Sequence, residues 1–339
     1  SSPKLNYKSD DVFGFSGLEK VYEQSLRGLD GVEFRLVDIY GIDHGKYNTD
    51  RQYEIQMGDS LILTIDTRLQ KKAELLLDGK KGAIICMNPQ NGAVLSFVSS
   101  PDYNLNSFVG PIPQKMWDKW NDNQDKPLMN RGIQGVYPPG SVVKLISVAY
   151  ALDNEIIDEK WEVNCNGSYN FGDRSFRCWK QEGHGNVNAI SSIIYSCNIF
   201  YYYLIQKMGF SNWSDIVSQF GFGKKTGIDL PGEKRGILPT REYMNDKYTS
   251  RGWGKGSLLN FVIGQGDMLA TPLQVIQIVN LIATSGKAFK PHINKNLQSS
   301  FFEVQFKNTT WDFLKRATFA VVNDPEGTGK NAKTQLGSV

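Results

Sequence analysis

The sequence lacks long apolar runs, internal repeats and low-complexity segments, and it is poor in cysteine and histidine. No stretch of about 18 or more apolar residues occurs, so no part of this chain is predicted to span a membrane. A net charge of +3 over 339 residues gives no reason to expect a nucleic-acid partner. With four cysteines and three histidines, a disulfide-rich framework is excluded. The remaining composition is that of a globular protein with one large domain or two unequal ones.

What the sequence does contain is a serine and a lysine three residues apart at the start of an apolar segment. The prolines and glycine of 137–140 hold the backbone off the helical path, and the apolar residues that follow predict a buried helix. Ser141 and Lys144 would share one face of its first turn. A helix N-terminus stabilises an alkoxide and burial lowers the pKa of a lysine, which makes Ser141 the candidate nucleophile and Lys144 its base. Taken alone, S-x-x-K also fits a serine N-cap followed by a surface lysine.

A second motif, Ser196-Cys197-Asn198, lies at the junction of two apolar stretches. Its serine can relay a proton and its amide can orient a substrate carbonyl, although the same residues could form an ordinary turn between helices. S-x-x-K together with S-x-N and K-T-G is the signature of penicillin-binding proteins and serine β-lactamases. We therefore interpret Ser196 and Asn198 as candidate partners of Ser141 and Lys144.

Three of the four cysteines surround this second motif, together with one histidine. The group consists of Cys165, Cys178, His184 and Cys197. Three thiols and an imidazole are a common ligand set for structural zinc, and we predict such a site here, with Asp173 as a possible replacement for Cys165. One disulfide plus a free thiol, or three buried free thiols, are the alternatives. The fourth cysteine, Cys86, lies in an apolar strand and is interpreted as a core thiol.

Beyond these motifs, nearly the whole chain resembles the class B penicillin-binding proteins. The segments that carry the resemblance are Leu63-Thr64-Ile65-Asp66-Thr67-Arg68-Leu69-Gln70, Asn130-Arg131, Tyr137-Pro138-Pro139-Gly140-Ser141, Thr226-Gly227-Ile228-Asp229-Leu230-Pro231-Gly232-Glu233, Ile263-Gly264-Gln265-Gly266 and Thr271-Pro272-Leu273-Gln274. Three further segments, Gly17-Leu18-Glu19-Lys20, Leu26-Arg27-Gly28 and Gly183-His184-Gly185, are similar to the elongation-type members, penicillin-binding protein 2. The resemblance implies an α+β fold, the penicillin-binding and serine β-lactamase-like transpeptidase fold, with a helical lobe and an antiparallel sheet.

The resemblance also implies a function. Members of this family are D,D-transpeptidases, so Ser141 would attack the D-Ala-D-Ala end of a peptidoglycan stem peptide, and β-lactams would acylate the same serine. A membrane-embedded glycosyltransferase of the elongation complex is the implied partner. The implied location is the periplasmic side of the bacterial inner membrane. Because the chain begins at Ser1 without a signal peptide or anchor, we interpret it as an excised portion. A serine β-lactamase and a non-catalytic scaffold piece of the elongation complex are the alternatives.

We divide the chain into a remnant of an N-terminal pedestal or dimerisation module, residues 1–58, and an incomplete transpeptidase domain, residues 59–339. In the first part, Ser16 and Glu19 predict a capping box for a helix that stops near Gly28. Alternating apolar residues over 32–36 predict a strand, and 41–51 reads as a polar loop.

The second part is predicted to open with a helix, Thr67–Leu77, and a hairpin of strands, Ala83–Met87 and Ala93–Val98. Residues 161–187 read as loop-like. Thr271-Pro272-Leu273-Gln274 predicts a helix start with an N-cap, an N1 proline and an N3 glutamine, and Gly286 its end.

The third family motif is not found where the resemblance requires it. Lys225-Thr226-Gly227 spells K-T-G but follows the second motif too closely, and we interpret it as a turn far from the pocket. Lys333-Thr334-Gln335 lacks the glycine that lets a substrate backbone approach. We expect the K-T-G strand to follow Val339, so the 339-residue chain should bind penicillin weakly or not at all, and its first hairpin should have an exposed edge.

Overall fold

The structure, a computed structural model, describes residues 7, 11–47, 49, 54–249 and 252–334. Its α-helices are α1 Gly17–Arg27, α2 Thr67–Leu77, α3 Gln114–Asn121, α4 Val142–Asp153, α5 Ala189–Ile194, α6 Asn198–Met208, α7 Phe210–Gln219, α8 Arg241–Lys247, α9 Gly256–Phe261, α10 Pro272–Ala283 and α11 Asn308–Asn323. Its strands are β1 Arg35–Val37, β2 Asp43–Lys46, β3 Gly82–Met87, β4 Val94–Ser100, β5 Val163–Cys165, β6 Ser168–Phe171, β7 Arg174–Arg177, β8 Gly185–Val187, β9 Lys287–Phe289 and β10 Phe301–Glu303. Helices and small antiparallel sheets together give the predicted α+β class. Ser1 and Gln335, which the sequence arguments used, lie outside the described residues.

The main core surrounds α4, the helix that the sequence predicted to follow Ser141. Seven of its twelve residues are buried, and α6, α7 and α11 pack around it. Aromatic side chains fill the space between these helices, with Phe200, Tyr201 and Trp213 completely buried. The N-terminal end of α4 is thus fixed in a rigid scaffold.

The predicted helix over 67–77 and the hairpin are both present. β3 and β4 pair antiparallel from Gly82 opposite Ser100, and α2 packs against β4. The side-chain amide of Gln70 covers the outer edge of β4, because it accepts from the Phe97 N–H (2.8 Å) and donates to the Phe97 carbonyl (3.2 Å). Among the described residues β3 pairs only with β4, so its other edge is open, as predicted.

The prediction that residues 161–187 are loop-like was wrong. They form four short strands, in which the β6–β7 hairpin is inserted between the paired strands β5 and β8. Each strand has only three or four residues, too few for alternation of apolar and polar side chains to be recognised. This strand insert, as we call residues 163–187, carries three of the four predicted metal ligands.

The N-terminal part differs from its prediction in two details. Ser16 is the N-cap of α1, but its side chain makes no capping hydrogen bond among the described residues, because Gly17 enters the helix with φ of +60°. The predicted polar loop contains β2, which pairs with β1; residues 48, 50 and 51 of that loop lie outside the described residues. Gly28 ends α1, as predicted.

A side-chain hydrogen bond ties α1 to a distant segment of the second part of the chain. The Tyr22 hydroxyl donates to the Asp229 carboxylate (2.8 Å), which also accepts from the backbone N–H groups of Ile293 and Asn294. Burial raises the pKa of Tyr22 to about 12, so the phenol stays neutral and keeps donating. The predicted capping box of Thr271 and Gln274 is present at the start of α10, which ends at Ala283, three residues before Gly286. In the described ranges, no helix has the length and apolar character needed to cross a bilayer.

Candidate active site

Ser141 is the N-cap of α4, and its side chain is exposed. The preceding residue, Gly140, has φ of +64° and donates its N–H to the Gly264 carbonyl (2.9 Å). A Cβ on Gly264 would lie 2.1 Å from the Gly140 carbonyl oxygen, so only glycine fits there. This contact explains why a glycine 123 residues later belongs to the same site as Ser141.

Lys144 is almost completely buried, with 2 % of its surface exposed. Its ammonium group donates to the Ser196 carbonyl (2.8 Å), the Ser196 Oγ (3.1 Å) and the Asn198 Oδ1 (2.7 Å). Burial lowers the pKa of Lys144 to about 8, because the charged form loses its hydration, while the nearby thiols oppose this shift. The face of the Tyr201 ring lies 5.3 Å from Nζ.

Ser196 connects the lysine to the candidate nucleophile. It lies between α5 and α6, where the sequence placed a break in the apolar stretch, and its Oγ donates to the Ser141 Oγ (2.9 Å). Lys144 was predicted to be the base for Ser141 and Ser196 to relay a proton, and the Lys144 Nζ does reach Ser141 through the Ser196 Oγ. The three groups form a continuous path for a proton.

Asn198 begins α6, and both ends of its side-chain amide are engaged. Oδ1 accepts from Lys144 and Nδ2 donates to the Arg177 carbonyl (3.3 Å). Sequence reasoning identified all four side chains of this network but missed the Arg177 carbonyl, since a main-chain contact across 21 residues leaves no pattern in the sequence.

The four predicted metal ligands meet on the other side of the same turn. One ligand atom each from Cys165, Cys178, His184 and Cys197 lie within 4.8 Å of one another. The Nδ1 of His184 is 3.5 Å from the Sγ atoms of both Cys165 and Cys178. We call Cys165, Cys178, His184 and Cys197 the thiol cluster. All four cysteines of the chain are free thiols, and the three that belong to the thiol cluster are buried.

The thiols of the cluster influence one another. A hydrogen bond between Cys178 and Cys197 lowers the pKa of the first and raises that of the second. The N–H of Asn198 also donates to the Cys178 Sγ (3.4 Å). Burial lowers the pKa of His184, whose ring stacks on Tyr195 with centroids 5.7 Å apart. One thiolate and a neutral imidazole are therefore favoured, and both are forms that bind metals.

Two further predictions, one about a metal ligand and one about a core thiol, are corrected or refined by the structure. Asp173 is exposed in the β6–β7 turn and lies outside the cluster, so it does not replace Cys165. Cys86 lies on β3 as expected but is only half-buried, because the adjacent edge of that strand is open.

Lys225-Thr226-Gly227 lies in an irregular segment and not on a strand. The Glu233 carboxylate accepts from the N–H and hydroxyl of Thr226 and from the N–H of Gly227 (2.6–3.0 Å). These hydrogen bonds hold the segment in a turn, as the sequence interpretation expected.

Comparison with known proteins agrees with this geometry. Residues 82–338 match the family described as "Penicillin binding protein transpeptidase domain", and residues 1–63 match "Penicillin-binding Protein dimerisation domain". The chain belongs to the PBP2-type class B penicillin-binding proteins. The fold expected from the sequence resemblance is therefore correct.

Individual relatives show how far the likeness extends. The chain is 35 % identical to the peptidoglycan D,D-transpeptidase MrdA of Acinetobacter baumannii, over 97 % of this chain and 50 % of that protein. It matches PBP2 in the complex between PBP2 and MreC from Helicobacter pylori with a TM-score of 0.88 and 34 % identity, over 95 % of this chain and 60 % of the other. It also matches a chain in a structure titled "Structural coordination of polymerization and crosslinking by a peptidoglycan synthase complex". That match has a TM-score of 0.82 and 28 % identity, over 94 % of this chain and 58 % of the other. This penicillin-binding protein sequence spans about half the length of the first of these relatives.

Proposed function

We propose that the protein is a peptidoglycan D,D-transpeptidase that forms an acyl-enzyme on Ser141. The observation that carries the proposal is the path from the Ser141 Oγ through the Ser196 Oγ to the buried Lys144 Nζ, with steps of 2.9 and 3.1 Å. The family membership and the activity named for the A. baumannii relative support it. Its substrate is the D-Ala-D-Ala end of a peptidoglycan stem peptide.

In the proposed reaction, Ser141 Oγ attacks the carbonyl carbon of the penultimate D-Ala. As the ester bond forms, the Ser141 proton passes to Ser196 and the Ser196 proton passes to neutral Lys144. When the peptide C–N bond breaks, Lys144 returns a proton through Ser196 to the leaving amine of the terminal D-Ala. The positive N-terminal end of α4 stabilises the charge that develops near Ser141. An amine from a second stem peptide then accepts the acyl group.

Fluorescent penicillin tests this function in the full-length protein. Ser141→Ala is expected to abolish labelling, while Ser211→Ala, which removes an exposed hydroxyl from α7, should label like the wild type. Labelling that survives Ser141→Ala would refute the assignment. A non-catalytic scaffold would not be labelled at all, and a serine β-lactamase would release the label by rapid hydrolysis.

We also propose that the thiol cluster binds one structural zinc ion. Three thiols and an imidazole fit zinc in type and number, and tetrahedral Zn–S bonds of about 2.3 Å would place the ligand atoms about 3.8 Å apart. The four ligand atoms, all within 4.8 Å of one another, are compatible with that spacing. Cys165, Cys178, Cys197 and the Nδ1 of His184 would hold the ion and fix the strand insert against the start of α6.

Elemental analysis of the purified protein tests the zinc proposal. We expect about one zinc per chain, the stoichiometry of a single four-ligand site, and no disulfide. Chelation should loosen residues 161–187 and increase their hydrogen exchange. Metal-free protein with a Cys165–Cys178 disulfide would refute the proposal.

The exposed N-terminal part is proposed to contact partner proteins of the elongation machinery on the periplasmic side of the inner membrane, a membrane-embedded glycosyltransferase among them. Large apolar side chains protrude around β1 and β2, with Ile39 91 % and Tyr40 82 % exposed. The H. pylori relative was described in complex with MreC. If an Ile39→Asp variant retained its partners in co-purification, this contact would be refuted.

A further inference from the structure

Ser196 has a backbone conformation that serine rarely adopts. Its φ is +50°, in the left-handed region that favours glycine. Because this conformation aims its Oγ at both Lys144 and Ser141, the proton path depends on keeping Ser196 in it. The surrounding structure must therefore hold the residue there.

The peptide groups on both sides of Ser196 are fully hydrogen-bonded. Two of the bonds are to nearby main chain, from the Ser196 N–H to the Ile193 carbonyl (3.1 Å) and from the Cys197 N–H to the Ser192 carbonyl (3.0 Å). The other two come from side chains distant in sequence. Lys144 Nζ donates to the Ser196 carbonyl, and the Trp179 indole N–H donates to the Tyr195 carbonyl, each at 2.8 Å.

Trp179 differs from the buried aromatic residues of the core. Its side chain is 58 % exposed, so packing alone does not hold it. It follows Cys178 of the thiol cluster, and its ring meets the edge of His184 with centroids 5.2 Å apart. The position of the indole is thus set by the strand insert, while its N–H reaches the peptide group that precedes Ser196.

We propose that Trp179 is a positioning residue of the active site. Its indole N–H fixes the Tyr195–Ser196 peptide plane and thereby keeps Ser196 in the left-handed conformation that joins Lys144 to Ser141. Trp179 acts through Ser196 and not by contact with the reacting atoms. This inference rests on the acylation of Ser141 proposed above.

The test compares two tryptophan substitutions in the full-length protein. Trp179→Phe keeps an aromatic ring beside His184 but removes the N–H donor. Trp253→Phe is the matched control, since the Trp253 indole N–H donates to Asn245 Oδ1 at 2.7 Å outside the active site. With fluorescent penicillin, stopped-flow measurements separate the dissociation constant of the first complex from the acylation rate constant. Rates are taken from the active fraction only, so unfolded protein does not contribute.

We expect Trp179→Phe to lower the acylation rate constant about three- to ten-fold, the effect of one hydrogen bond, with the first dissociation constant nearly unchanged. Trp253→Phe should acylate at the wild-type rate. In a Ser196→Ala background, Trp179→Phe should cause no further loss, because no hydroxyl is left to position. Wild-type acylation by Trp179→Phe, or an equal loss with and without the Ser196 hydroxyl, would overturn the inference. Wild-type protein that is not acylated would instead refute the proposed function.

Discussion

The two sides of the turn between α5 and α6 are held together in different ways. On one side, Ser196 and Asn198 join Lys144 through hydrogen bonds of 2.7–3.1 Å. On the other side, the thiol cluster is joined by sulfur contacts, such as the 3.5 Å from the Cys165 Sγ to the His184 Nδ1, and His184 Nε2 is buried without a partner among the described residues. The first side is complete with protein atoms alone, whereas the second has the composition of a site that a cation completes.

The difference shows how one short segment serves two purposes. Cys197 is completely buried in the cluster, while Ser196 and Asn198 on either side of it face Lys144. Cys197 therefore faces away from the pocket that Ser196 and Asn198 face. Because the left-handed Ser196 interrupts the helical path, three consecutive residues can point in different directions.

The largest expected effect on acylation comes from removing the Lys144 side of the turn while the thiol cluster is left intact. Lys144→Ala should lower the acylation rate about 10²–10⁴-fold, the usual contribution of a general base, with little change in the first dissociation constant. Zinc content should stay the same, because Lys144 is not one of the four cluster ligands. Stopped-flow penicillin binding and elemental analysis measure both. Lys207→Ala, which removes an exposed lysine from α6, is the control. Near-wild-type acylation by Lys144→Ala would mean that another residue is the base.

The pH dependence of the acylation rate tests the role of Lys144 as the base without a substitution. Burial lowers the pKa of Lys144 from 10.5 to about 8, so the lysine is protonated and cannot accept a proton well below that pH. The acylation rate should fall as the pH decreases through about 8, by about 50-fold between pH 8 and 6. A profile that is flat over this range, or one with its midpoint near 10.5, would contradict the assignment.

The smallest effect on acylation is expected from a substitution in the thiol cluster. Cys178→Ser should lose zinc and about 3 kcal/mol of stability, which for a chain of this size lowers the Tm by about 4 °C. Acylation should fall only about three- to ten-fold, because the loosened strand insert weakens the Trp179 hydrogen bond to the Tyr195 carbonyl and the Asn198 N–H loses its sulfur acceptor. Cys86→Ser, at a half-buried cysteine outside the cluster, should keep its zinc. If both variants kept zinc, the four-ligand site would be wrong.

The sequence predicted what depends on local pattern. The apolar helix behind Ser141, the capped start of α10 and the hairpin after α2 all follow from spacing over a few residues. The joining of Ser141 and Lys144 to Ser196 and Asn198 came from the family resemblance, because no local rule brings residues 55 positions apart into contact.

Other features could not be predicted because they depend on contacts between distant segments. The Gly140–Gly264 approach, the Trp179 bond to the Tyr195 carbonyl and the short strands of the insert each leave no periodic signal. The left-handed conformation of Ser196 belongs to the same class, since serine has no intrinsic preference for it.

The identity of the acylated residue tests the central claim most directly. Trypsin cleaves after Arg131 and Lys144 and so releases a peptide, residues 132–144, in which Ser141 is the only serine. After treatment of the full-length protein with penicillin, mass spectrometry should find the added mass of the drug on Ser141 of this peptide. An adduct on another peptide, such as residues 181–207 with Ser196, would contradict the account.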